Sequence, residues 1–243
     1  DVKGKRVLLR IDLNSTLSGG KAVDNPRFRE HARTIKELIR KKAVVVILAH
    51  QGRPGSKDFV SLKSHARVLG KYVPIKFVDD VVGRKALMGV EKLGMGEALL
   101  LGNVRSIKDE FSPGRNKIVK AFKGKFDFYV GDAFSIMHRR QTSVVSLPKV
   151  IPSVVGRVAE KEIESLKKIK KNLGSSVFVL GGNKPEDVIL LIKRGKVLTT
   201  GTLSLYGLKA RGVKLGREDS LLRDSSIVKK IRESSRGTLV PKD

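Results

Sequence analysis

The chain has 243 residues, 40% of them hydrophobic, and carries a formal charge of +27. The hydrophobic share supports a packed core and excludes wholesale disorder. No apolar run reaches membrane-spanning length, and the absence of cysteine excludes disulfides, Cys-ligated zinc, iron–sulfur clusters and thiol nucleophiles. The basic excess runs through every fifty-residue block with no acidic segment to offset it, and self-repulsion on that scale asks for a polyanionic partner, nucleic acid being the densest in a cell.

In chain order, Val7–Asp12, Val44–His50, Lys76–Asp80, Ala98–Asn103 and Phe128–Ala133 are short, β-branched and hydrophobic on both faces, as buried parallel strands are. Helical patterns alternate with them: Phe28–Lys41, with Ile35, Leu38 and Ile39 on one face, then Leu62–Leu69 and Lys117–Phe122. The alternation predicts an α/β fold, a doubly wound parallel sheet forming an N-terminal domain over residues 1–158. A linking amphipathic helix is expected within 159–174, where Ile163, Leu166, Ile169 and Leu173 share a face and Glu164 can pair with Lys168. A truncated second α/β half follows at 175–216, with strands at Val177–Gly182 and Lys196–Gly201. The basic tail, 217–243, offers one short helix around Ile227–Ile231.

Polar residues gather just after the strands, where open α/β sheets bind ligands. Asp12 and Asn14 follow the first strand, with Arg27 in the next loop. His50, Gly52, Arg53 and Pro54 follow the second. Arg105 comes after Asn103, and Asp132, His138 and Arg139 follow the fifth. Four arginines and a histidine along one cleft wall, with Asp12 and Asn14 to orient hydroxyls, suit a small phosphorylated acid, because guanidinium forks match phosphate and carboxylate bidentately.

These residues resemble the phosphoglycerate kinase family. Its D-F-N-V-P stands here as D-L-N-S-T (Asp12–Thr16), its H-L-G-R-P as H-Q-G-R-P (His50–Pro54), its E-N-x-R-F as G-N-V-R-S (Gly102–Ser106), and its N-D-A-F-G-x-A-H-R as G-D-A-F-S-I-M-H-R (Gly131–Arg139). The opening D-V-K-G-K-R-V and the L-G-G-x-K at Leu180–Lys184 also fit, so the ordered motifs cover roughly 215 residues. The resemblance implies a triose site at Asp12, Asn14, Arg27, His50, Arg53, Arg105 and Arg139, with Arg27 stabilising the migrating phosphoryl group. It implies a nucleotide site at Gly181, Gly182, Lys184 and Gly201, with Lys184 the second inherited catalytic position. There the chain departs from the family. G-G-A-K-x-x-D-K becomes G-G-N-K-P-E-D-V, so Val188 replaces a lysine that contacts the transferred phosphate, and Glu186 adds negative charge. A glycine triplet reads Thr199-Thr200-Gly201. The family's later G-N-G-P and G-G-G-D-T segments, which hold adenosine, phosphates and Mg²⁺, have no match. Taken as a complete protein, the chain is expected to be a catalytically degenerate kinase that uses no cofactor and binds no metal.

The lysines and arginines outside the pocket point to a second role. Arg40, Lys41 and Lys42, the helical stripe of Lys117, Lys120, Lys123 and Lys125, then Lys167, Lys168, Lys170 and Lys171, and Lys229 and Lys230 are candidate RNA contacts. An aromatic content of 5% without Trp disfavours base stacking and favours backbone contacts to structured RNA. The expectation is a cytoplasmic structural or accessory component of a ribonucleoprotein, the ribosome first, with ribosomal RNA and neighbouring ribosomal proteins as partners, no membrane, and a small phosphorylated acid still able to enter the pocket. Two alternatives stand beside it. One is an active phosphoglycerate kinase using Mg-ATP, with further chain beyond these residues. The other is a triose-phosphate sensor.

Overall fold

A computed structural model describes residues 1–182, 185–194, 196–222, 224–234 and 238–240. They divide into two compact units, residues 1–163 and 164–243.

The first unit is built on a six-stranded, wholly parallel sheet. Its strands are β1 (Arg6–Arg10), β4 (Val44–Ala49), β5 (Lys76–Phe77), β6 (Ala98–Asn103), β7 (Phe128–Gly131) and β8 (Ser153–Val155), ordered β5-β6-β4-β1-β7-β8. A hairpin of β2 (Leu17–Ser18) and β3 (Lys21–Ala22) leaves the end of β1. The helices are α1 (Pro26–Arg40), α2 (Lys63–Gly70), α3 (Arg84–Glu91), α4 (Lys117–Phe122) and α5 (Arg157–Lys171), the last running on into the second unit. β4 and β6 are buried along their whole length, and the alternate residues of β1 feed opposite cores: Val7 and Leu9 pack with α1 and α2, Leu8 with α3 and α4. Burial on both faces explains the continuous apolar runs, and the doubly wound arrangement follows from it. The chain leaves β1 toward β4 on one side and returns to β7 on the other, so β1 is a switch point of the kind that opens a crevice at strand C-termini.

Helix starts follow local chemistry. Asn25 caps α1, its side chain accepting from the Arg27 amide, with Pro26 at the first helical position. Asp80 accepts from the amides of Val81, Gly83 and Ala86 and so starts α3, a helix not among those expected from the sequence, in which only Ala86 and Val90 are buried. At α5 the cap is Asp132, fully buried, which accepts from the amides of Val158 (2.8 Å) and Ala159 (3.1 Å), from Thr34 Oγ1 (2.7 Å) and from His31 Nδ1 (3.2 Å). A buried carboxylate is tolerable only with its oxygens occupied in this way.

The second unit holds a three-stranded parallel sheet, β11-β10-β9, of β9 (Val177–Leu180), β10 (Lys196–Thr199) and β11 (Thr238–Leu239). Helices α6 (Gly201–Ala210) and α7 (Ser225–Ser234) belong to it. Leu180, Ile189, Ile192, Val197, Leu203, Tyr206, Ile227 and Ile231 form one core. The connection from β9 to β10 is a pair of short 3₁₀ segments, Pro185–Asp187 and Ile189–Arg194, rather than an α-helix. The stretch from Arg217, expected as a tail, contributes α7 and β11 to this unit, because Ile227 and Ile231 find the same core. The opposite face of the sheet is bare: Val177 is 58% exposed and Val179 67%.

Arg157 grips Glu37 of α1 with two parallel hydrogen bonds (2.8 and 2.9 Å), and Lys41 joins them (2.7 Å). The hydrogen bonds from Arg157 and then Lys41 hold the Glu37 carboxyl at about 2, well below its ordinary value. A depressed carboxylate stabilises the fold fully above its unfolded pKa and loses that contribution as pH falls through the folded one. Glu37→Gln is therefore expected to lower the urea midpoint at pH 7 and to match wild type as pH falls toward about 2. Urea titrations of both proteins between pH 7 and pH 2 check this, and a constant gap across the range would contradict it.

Candidate functional site

The crevice at the C-terminal ends of β1, β4, β6 and β7 collects the seven expected pocket residues. Asp12, buried just beyond β1, is the anchor. Its Oδ1 accepts from the Asn14 amide (2.9 Å), and its Oδ2 accepts from Ser135 Oγ (2.5 Å) and forms a close ion pair with Arg27 Nη1. Its own amide donates to His31 Nε2 (3.2 Å), so the His31 proton lies on Nδ1, facing Asp132. One chain of hydrogen bonds thus runs from the start of α5 through Asp132 and His31 to Asp12 and Arg27. A recess of about 250 Å³ opens beside the pair, lined by Asp12, Arg27, His31, Asp132, Phe134 and Ser135 among others.

The loop after β4 is fixed by polar residues rather than by packing. Asn14 Oδ1 accepts from the Gly52 amide (2.9 Å). Gln51, fully buried, accepts from the Ser15 amide (2.8 Å) and from His65 Nε2 (2.9 Å), and donates to the Ser15 carbonyl (3.1 Å). Asn103 donates to the carbonyls of Gln51 (2.8 Å) and Val60 (3.1 Å). Gly52 sits at φ +63, and a Cβ there would lie 2.4 Å from the Asp58 carbonyl oxygen, so the position admits only glycine. Arg53 projects from this loop, exposed, with its amide held by Ser56 Oγ (3.0 Å).

Arg105 is the residue that most needs a partner. It is 4% exposed, and Nη1 donates to the Gly52 carbonyl (2.6 Å), while Nε and Nη2 are buried with no hydrogen-bond partner among the described residues. Burial first, then repulsion from Arg139 and Arg10, pulls its pKa down to about 10. Arg139 Nε is likewise buried without a partner. His50, 2% exposed, is driven strongly downward by burial and then by Arg10, Arg105, Arg139 and Arg27, so it is neutral at any physiological pH. The shared field shows how closely these groups are assembled. His138, by contrast, is exposed.

Sequence reasoning missed Arg10, Gln51, Asn103 and Glu110 as supports of the site. The available signal was a charged or amide residue placed inside or next to an apolar strand run, which demands a buried partner.

In the second unit, a Cβ on Gly201 would lie 3.4 Å from the Gly182 amide nitrogen, so the loop after β9 abuts the start of α6. Thr200 fills the space over Gly181: a Cβ on Gly181 would lie 2.0 Å from Thr200 Oγ1. Lys184 lies outside the described residues. Among the described residues no group of three or more acidic or histidine side chains is arranged to hold a metal ion. The candidate RNA contacts are spread over both units. Arg40, Lys41, Lys42, Lys117, Lys120, Lys123, Lys167, Lys168, Lys170, Lys171, Lys229 and Lys230 are exposed, Lys125 is half-buried, and Lys41 is paired with Glu37.

A wholly parallel sheet with an arginine-lined crevice at its switch point defines a doubly wound α/β domain. Residues 1–243 match the family model described as phosphoglycerate kinase. Relatives named phosphoglycerate kinase include those of Sulfurisphaera tokodaii, 42% identical over 89% of this chain and 57% of the relative, and Aeropyrum pernix, 43% identical over 90% and 57%. The crystal structure of phosphoglycerate kinase from Pyrococcus horikoshii superposes with a TM-score of 0.91 at 31% identity, covering 99% of this chain and 65% of that one. That of Coxiella burnetii gives 0.78 at 27% identity, over 99% and 64%. The chain belongs to the phosphoglycerate kinase family, and it spans a little over half the length of the curated relatives it matches. Among the described residues, no helix is long and apolar enough to cross a membrane.

Proposed function

We propose that the first unit binds a three-carbon phosphorylated acid, 3-phosphoglycerate being the probe of choice, as the acid-binding half of a phosphoglycerate kinase. The observation that carries this reading is Arg105. A buried guanidinium with two idle nitrogens, near a half-buried arginine whose Nε is also idle, is costly for the free protein and complementary to an oxyanion. Arg53, Arg105 and Arg139 then supply the charge-assisted donors. Asp12 and Asn14 orient a hydroxyl, and Arg27, held on Asp12 in the free protein, turns to the phosphorylated acid when Asp12 accepts from the ligand instead. The chemistry assigned to the described residues is binding and orientation; the relatives' name supports phosphoryl transfer as the activity of a whole family member.

Calorimetry with 3-phosphoglycerate is expected to give saturable, one-site binding. Arg105→Met should weaken it by about 30-fold or more, the cost of truncating one member of a desolvated charged hydrogen bond. The same variant should unfold no earlier than wild type in the absence of anions, because it removes an unpaired buried charge. No binding by a folded wild-type chain would overturn the proposal.

A second reading rests on the charge of +27 and the exposed lysines of α4, α5 and α7, which suit the backbone of structured RNA, ribosomal RNA first. It predicts co-sedimentation with ribosomes or bulk RNA at low salt that is lost at high salt. A protein that stays in the supernatant at low salt would contradict it.

A further inference from the structure

Arg10 is the last residue of β1 and is 1% exposed, where a cation is rarely placed. Each side of its guanidinium is accounted for. Nε donates to Ser143 Oγ (2.9 Å), and Nη1 donates to the Ile11 carbonyl (2.6 Å) and more weakly to that of Leu48 (3.4 Å). Ser143 is itself oriented, its hydroxyl donating to Glu110 Oε1 (2.6 Å) and its amide to Glu110 Oε2 (2.9 Å). The Ser143 proton therefore points at Glu110, and its lone pair faces Arg10. The remaining arm, Nη2, reaches His50 Nδ1 at 3.2 Å.

A guanidinium has donors and no acceptor. The His50 nitrogen facing it must be bare, and the proton of the neutral ring must sit on Nε2, for which no hydrogen-bond partner stands among the described residues. We infer that Arg10 is a positioning residue: anchored by Ser143 and Glu110, it sets His50 as a neutral Nε2–H donor in the acid pocket. The ring is thereby given one fixed role, a donor to an oxyanion or hydroxyl, and is barred from serving as a base through Nδ1. This rests on the reading of the crevice as an acid-binding site, but the tautomer can be read without any ligand.

Long-range ¹H–¹⁵N correlation spectra of the ¹⁵N-labelled chain at pH 7 test it. His50 should show a bare Nδ1 and a protonated Nε2, unchanged between pH 5 and pH 8. Arg10→Lys, which keeps a cationic donor, should preserve that pattern, and Arg10→Met should mix the two tautomers and weaken 3-phosphoglycerate binding by about tenfold, the worth of one oriented hydrogen bond. If Arg10→Met does not fold, Ser143→Ala takes its place: it frees Nε, lets the guanidinium tilt, and should broaden His50 toward both tautomers. A protonated Nδ1 in wild type, or an unchanged His50 spectrum in the folded variant, overturns the inference. Failure of 3-phosphoglycerate to bind while the tautomer follows Arg10 would sink the acid-site reading alone.

Discussion

Holding Arg27, Arg53, Arg105 and Arg139 around one buried histidine works against Coulomb repulsion, and the upper end of the sheet is arranged to bear that cost. Arg27 is neutralised by Asp12, and Arg105 is fastened to the Gly52 carbonyl. The loop that carries Gly52 is tied by Asn14, Gln51 and Asn103, amides that bring hydrogen bonds without adding charge. Beneath them, Arg10 is balanced by Glu110, whose carboxyl burial pushes upward and the Arg10 charge pulls back. Among the described residues, Arg105 Nε and Nη2 and Arg139 Nε stay buried without a hydrogen-bond partner. On the proposed reading, a ligand of opposite charge would relieve that cost.

The fold was legible because most elements have sharp local signatures. The apolar runs Val44–Ala49 and Ala98–Gly102 become the buried strands β4 and, with Asn103 at its end, β6, and Lys117–Phe122 is recovered as α4. Elements with little buried surface were harder. β8 is exposed along its three residues, and α3 is started by the Asp80 carboxylate rather than by an apolar face. The pocket residues were readable from ordered motifs. Their supports were not, because Arg10, Glu110 and Ser143 meet only across long stretches of chain. A buried charge inside a strand announces that a partner exists without naming it.

The second unit follows a different logic. Its three strands are covered by α6 and α7 on one side, and Val177 and Val179 stand open on the other, although parallel sheets are ordinarily covered on both faces. Thr200 against Gly181 replaces the backbone clearance that glycine would leave. The charge of the whole chain is not concentrated in the pocket. Only four arginines belong to the crevice, and many of the other basic residues sit on exposed faces of α4, α5 and α7, where they cost little in packing.

The central claim is that the idle donors of Arg105 exist to hold an oxyanion. A crystal structure of the chain grown with 3-phosphoglycerate tests it most directly. The account predicts the acid at the ends of β1, β4 and β6, with one of its oxygens within hydrogen-bond distance of Arg105 Nη2 and with His50 presenting Nε2. An acid bound elsewhere, with Arg105 still unpartnered beneath an intact Asp12–Arg27 pair, would contradict it.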